Sequence, residues 1–185
     1  MIKQVAFLRG INVGGHKPVQ MEELKKAFES LGFENVKTFL ASGNVLFETS
    51  QANERILAKK IEEKLKKTFG HKIDVLIHTI EELQRLDKLN PFKGITITPQ
   101  TRLYVTFLSE KPKNNLKIPY ESVNKNFKII RATGSEVCSV LILQPNSQTI
   151  DLMDFLEKEF GRKITTRNWN TITRILKVSK KEVIK

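Results

Sequence analysis

The stretch "NVKTFLASGN", Asn35 to Asn44, returns 91 residues later as "NFKIIRATGS", Asn126 to Ser135. Asn, Lys, Ala and Gly coincide at four of the ten positions, and most of the others are alike in kind. At the same offset "TFGHKI" (Thr68 to Ile73) lies over "EFGRKI" (Glu159 to Ile164). Two matches at one offset read as an internal repeat, which means a small fold made twice.

The element pattern around the first copy says which fold. Lys3 to Arg9 is an apolar strand. Gln20 to Leu31 is an amphipathic helix with Leu24, Ala27, Phe28 and Leu31 on one face, and Gly32 stops it. Asn35 to Leu40 and Asn44 to Glu48 are strands around a turn at Ser42–Gly43. Asn53 to Phe69 is a second helix, with Ile56, Leu57, Ile61, Leu65 and Phe69 inward and Gly70 at its end. Ile73 to Ile77 is a fourth strand. The order βαββαβ is that of a ferredoxin-like α+β plait.

The second copy supplies strands at Arg102 to Leu108, Phe127 to Arg131, Val137 to Leu143 and near Ile164, with a helix over Ile150 to Phe160. The expected organisation is a first plait over 1–78, a connecting helix and linker over 79–101, and a second plait with a C-terminal helix over 102–185. Thr79 and Glu82 have the spacing of a capping box, so the connecting helix starts there. Pro91, Gly94 and Pro99 then break regular structure. Strands such as Val5–Leu8 are apolar on both faces, so the open face of each plait needs a cover. The expectation is two tandem plaits packed into one unit.

No apolar run approaches the roughly 18 residues of a membrane span. The short apolar part of "MIKQVAFLRG" lacks the features of a secretion signal, so a cytoplasmic location without membrane attachment is expected. The single cysteine, Cys138, excludes an internal disulfide framework and a cysteine zinc cluster. His16, His71 and His78 are too few and too scattered to suggest a metal site, and no cofactor motif appears. The formal charge is +12, of which +5 falls in 111–131 and +6 in 157–185. That field suits anionic partners, although 24 lysines against 8 arginines also suit a merely soluble surface.

The repeat acts as a control for the loop "RGINVGGHKPVQ", Arg9 to Gln20. Where the first copy has this glycine-rich loop, the second has the shorter "SEKPKNN". The plait therefore closes without it, and a ligand-binding role is favoured. Plait geometry brings Arg9, Asn12, Gly14, Gly15, His16 and Lys17 to the same end as Ser42, Gly43 and Asn44, with His71 close by. Glycines let backbone N–H groups approach an anion, and the following helix offers its positive end. Gly10 to Lys17 reads G-x-x-x-x-G-H-K, which misses the phosphate-loop pattern because histidine intervenes and Pro18 follows the lysine. The competing reading is a connector with solvated charges.

A second constellation is "TTRNWNTITRIL", Thr165 to Leu176. Trp169, Ile172 and Leu176 have helical spacing, which makes Trp169 a core anchor before a stacking platform. Arg167, Asn168 and Asn170 crowd the start of that helix, where they either complete a ligand site or cap the helix; capping is the favoured reading.

"FLRGINVGGH", "MEELKKAFESLGF", "ASGNVLF", "NPF" and "TTRNWNT" occur in that order. In this the chain resembles the bacterial family of domain of unknown function 1697. The resemblance implies a duplicated ferredoxin-like plait in a cytosolic bacterial protein, and it assigns no catalytic residue. The chain departs from the family at "HKPVQM", where a valine–proline pair more often precedes the methionine.

Three functions compete. The leading expectation is binding of a small anionic ligand, phosphate- or nucleotide-containing, at the glycine loop. The second is nucleic-acid binding through 111–131 and 157–185. The third is a non-catalytic homo-oligomeric scaffold associating through sheet edges. Enzymatic activity stays open, because no carboxylate near His16 in sequence orients it as a base.

Overall fold

The computed structural model describes residues 1–12, 18–39, 42–112, 116–144 and 149–180. Among them lie two antiparallel sheets and five helices, a mixed α+β architecture. The chain divides into two compact units, Met1–Arg85 with Ile175–Lys185, and Leu86–Arg174.

Unit 1 runs β1 (Ile2–Leu8), α1 (Met21–Glu29), β2 (Glu34–Phe39), β3 (Asn44–Thr49), α2 (Glu54–Phe69), β4 (Val75–Thr79) and the start of α3 (Ile80–Lys88). Its sheet has the order β2-β3-β1-β4. Asn53 caps α2, its Oδ1 accepting from Ile56 N at 3.0 Å. Gly70 ends α2 in the left-handed region, at φ +75°. Leu57, Ile61 and Leu65 of α2 and Leu24, Ala27 and Phe28 of α1 face Ala6, Leu8, Val45 and Phe47. Phe33 and Phe47 meet at 4.6 Å between ring centroids, and Phe28 meets Phe47 edge-on at 5.5 Å. Ile56, expected inward, is 54% exposed, because the Leu57–Ile61–Leu65 stripe already fills the core-facing side.

The other face of the unit 1 sheet carries Lys3, Val5 and Phe7, and Val5 and Phe7 are fully buried there. Ser179 of α5 (Trp169–Lys180) reaches this face, its carbonyl accepting from Lys3 Nζ at 3.0 Å. Ile175 and Leu176 of the same helix are buried.

Unit 2 runs β5 (Thr101–Leu108), β6 (Tyr120–Glu121), β7 (Phe127–Ala132), β8 (Glu136–Ile142), α4 (Thr149–Phe160), β9 (Ile164–Asn168) and the first half of α5. The sheet order is β6-β7-β8-β5-β9. The two-residue β6 lies outside the sequence-derived strands, since it is too short to show alternation. Leu152, Leu156 and Phe160 of α4 pack on Leu108, Phe127, Ile129, Val137 and Leu141.

Asn35 to Asn44 carries most of β2 and the first residue of β3, and Asn126 to Ser135 carries β7. Gly70 N donates to Lys66 O and Gly161 N to Glu157 O, both at 3.0 Å, as helix ends. No helix among the described residues is long and apolar enough to cross a membrane.

Candidate functional site

At the Arg9 end of unit 1, three connections converge on the exit from β1. Leu8 N donates to Gly43 O at 2.8 Å, and Arg9 N donates to Asp74 O at 2.9 Å. Gly43 has φ +72°, and a Cβ there would stand 2.6 Å from Ile11 Cδ1 and 2.8 Å from Leu8 Cβ. Glycine is thus required twice, by conformation and by close approach. Arg9 is half-buried and Ser42 exposed. Beside them Lys72 pairs with Asp74 at 2.7 Å, and the bond to Asp74 raises the Lys72 ammonium above its ordinary range.

Two residues expected to bind ligand have structural duties. Asn12 Nδ2 donates to Val19 O at 3.0 Å, and Asn12 Oδ1 accepts from Val19 N at 2.8 Å. This pair of bonds closes the mouth of the glycine loop. Asn44 is fully buried, and its Nδ2 donates to Phe39 O at 2.9 Å and to Ser42 Oγ at 3.0 Å. It fastens the β2–β3 hairpin. His71 Nδ1 lies 2.9 Å from Phe69 O, at the end of its own helix. Gly14, Gly15, His16 and Lys17 lie outside the described residues.

The N-terminus of α1 is less inviting to anions than its position suggests. Gln20 gives no side-chain cap, and Glu22 and Glu23 occupy the first turn. Their carboxylates already complement the helix dipole.

The remaining candidates belong to unit 2. Arg167 stands opposite Val105 in the sheet, 9% exposed, and its Nη1 donates to Thr166 O at 2.9 Å. Burial lowers its guanidinium to about 10, which leaves it charged at neutral pH. Asn168 Oδ1 accepts from Asn170 N at 2.9 Å and caps α5. Trp169 is half-buried, edge-on to Phe92 at 5.3 Å. Burial pushes the Cys138 thiol up to about 12, so it is an inert core group. Among the described residues no group of three or more His, Cys, Asp and Glu side chains could hold a metal ion.

Sequence reading missed two features. One is Asp74, whose carbonyl and carboxylate serve Arg9 and Lys72. The other is the approach of His78 Nδ1 to Glu82 Oε2 at 3.6 Å, for which the Thr79–Glu82 capping box was the one visible sign.

These features define an α+β protein of two antiparallel sheets. The sequence matches the family described as "Protein of unknown function (DUF1697)" over residues 1–137, and the chain belongs to that family. The match covers the continuous part of unit 1 and stops before the Thr165–Thr171 motif. No curated protein matches the chain. Among solved structures it is similar to the conserved bacterial protein SP0830 from Streptococcus pneumoniae, at 22% identity over 95% of this chain and 97% of that one, with a TM-score of 0.69. Identity that low speaks to fold alone.

Proposed function

We propose that the two units are copies of one ferredoxin-like plait, and that the first copy binds a small anionic ligand, phosphate- or nucleotide-containing, at the Arg9 end of its sheet. One observation carries this reading. The exit from the first strand is built the same way in both units. Leu8 N to Gly43 O and Arg9 N to Asp74 O in unit 1 correspond to Leu108 N to Ser135 O and Ser109 N to Lys163 O in unit 2. Onto that shared frame only unit 1 adds an arginine and a glycine-rich loop. The frame closes in unit 2 with Ser109 and no such loop, so the addition serves something other than closure.

Arg9 supplies a fork of donors for an anion, and the loop glycines supply backbone N–H groups. Asn12 holds the mouth at fixed width and Gly43 seats the hairpin against it. Binding alone is what this arrangement supports.

A thermal-shift series tests the reading, with inorganic phosphate, nucleotides, phosphorylated metabolites and short oligonucleotides at low and moderate salt. A ligand at 100 times its dissociation constant adds about 2.7 kcal/mol of stability. The expected result is a small-anion shift that persists in moderate salt and disappears in Arg9→Ala. Shifts given only by oligonucleotides and abolished by salt would move the function to segments 111–131 and 157–185. A small-anion shift unchanged in Arg9→Ala would remove the loop from the site.

A further inference from the structure

The two sheets finish differently on one side. The unit 1 sheet ends at β2, whereas in the unit 2 sheet a further strand, β6, lies outside β7. There Tyr120 stands opposite Ile129 and Glu121 opposite Lys128, in antiparallel register. Ser122 N donates to Phe127 O at 3.0 Å, and Lys128 Nζ pairs with Glu121 Oε1 at 3.0 Å. With the two units read as copies, as proposed above, Asn35 to Thr38 lies over Asn126 to Ile129. Lys37 then corresponds to Lys128, and Thr38 to Ile129.

The ladder fixes which backbone groups β2 turns outward. Leu8 N donates to Gly43 O, so alternate residues from Gly43 onward bond to β1, and Asn44 and Leu46 bond to β2. Phe39 and Lys37 stand opposite Asn44 and Leu46. Their N–H and C=O groups therefore turn inward, and those of Thr38 turn outward. No strand lies beyond them among the described residues. The opposite edge of the same sheet, β4, is blunted by carboxylates. Val75 N donates to Glu62 Oε1 and Thr79 N to Glu82 Oε2, both at 2.9 Å.

We propose that β2 is a strand-addition site for an extended acidic segment of a partner protein. The segment pairs antiparallel with β2, bonds its backbone to Thr38 and sets a carboxylate opposite Lys37, as Tyr120 and Glu121 are set at Ile129 and Lys128. Main-chain bonds supply the affinity at such an edge, and side chains across the pair supply the selectivity. Lys37 is exposed, and its charge sorts the occupants. A second copy that paired β2 with β2, centred on Lys37, would set two ammonium groups face to face; an acidic segment meets the opposite charge. The site is short. Asn35 has φ +51° and the register shifts between Glu34 and Lys37, so the ladder breaks before Glu34.

Backbone NMR of the full chain tests this with two synthetic blocked hexapeptides of valine and threonine, one carrying a central glutamate and the other a lysine in its place. At saturation the glutamate peptide is expected to slow amide exchange at Thr38 by at least about tenfold. Lys37→Glu is expected to weaken the glutamate peptide at least about threefold and to favour the lysine peptide, because a cross-strand attraction becomes a repulsion. Thr38→Pro, which an edge strand admits where its N–H faces outward, is expected to abolish the peptide-induced shifts at Lys37 and Phe39. Arg9→Ala is expected to bind as the wild-type chain does, so loss of the anion site leaves this result standing. No added protection at Thr38, or the same peptide preference in wild type and Lys37→Glu, would overturn the proposal. So would binding that survives Thr38→Pro and is lost in Arg9→Ala, which would place the carboxylate at the glycine loop.

Discussion

Gln4 is a fully buried polar side chain set into an apolar strand, between Phe47 on one neighbour and Thr79 on the other, and neither its Oε1 nor its Nε2 has a partner among the described residues. A buried amide left without partners costs about 1–3 kcal/mol. Gln4→Met keeps the shape and removes the polar atoms, so chemical denaturation should show a gain of about 1 kcal/mol or more. A loss would mean that the carboxamide is satisfied by bound water in solution. Asn44 is the contrasting case, a buried amide whose donors are used. Both residues look alike in the chain, a lone polar group beside apolar neighbours. For the same reason Asn12 and Asn44 read as ligand-binding residues: a carboxamide that closes a loop and one that grips a ligand have the same sequence signature. Their bonds go to backbone at Val19 and Phe39, and nothing local in the sequence announces them.

At the scale of elements, turn glycines separate backbone strain from packing. Gly43 and Gly70 have nearly the same φ, +72° and +75°, but a Cβ at Gly70 meets nothing within 4 Å. Gly70→Ala should therefore cost about 1–2 kcal/mol of strain. Gly43→Ala adds the collision with Ile11 and Leu8, about 1–3 kcal/mol more. Urea denaturation of both variants measures the difference, and equal losses would show that the β1 exit gives way freely. Most elements were legible, because helix periodicity, the Thr79–Glu82 capping box and the stops at Gly32 and Gly70 are local signals. Strand β6 was not, being two residues long and held only by Tyr120 and Glu121 against β7. The acidic first turn of α1 was plain in the sequence, but its bearing on anion binding needed the helix start.

For the whole molecule, pH acts through opposed carboxyls. The Glu82 carboxyl lies at about 2 in the folded chain against an ordinary 4.5. Its stabilisation is complete above 4.5 and is lost as pH falls toward 2. Over that window the melting temperature of the wild-type chain should fall faster than that of Glu82→Gln; parallel falls would place acid sensitivity elsewhere. Glu54 has the opposite sign and weakens the fold as pH rises past 4.5. A formal charge of +12 adds self-repulsion as the other carboxylates are protonated in acid. The division into units also orders events at the ribosome. Met1–Arg85 is translated first, yet unit 1 also includes Ile175–Lys185, made only after all of unit 2. Until Ser179 emerges, Lys3 lacks its docking carbonyl. Unit 2 is continuous, so the half synthesised second is the half equipped to finish first.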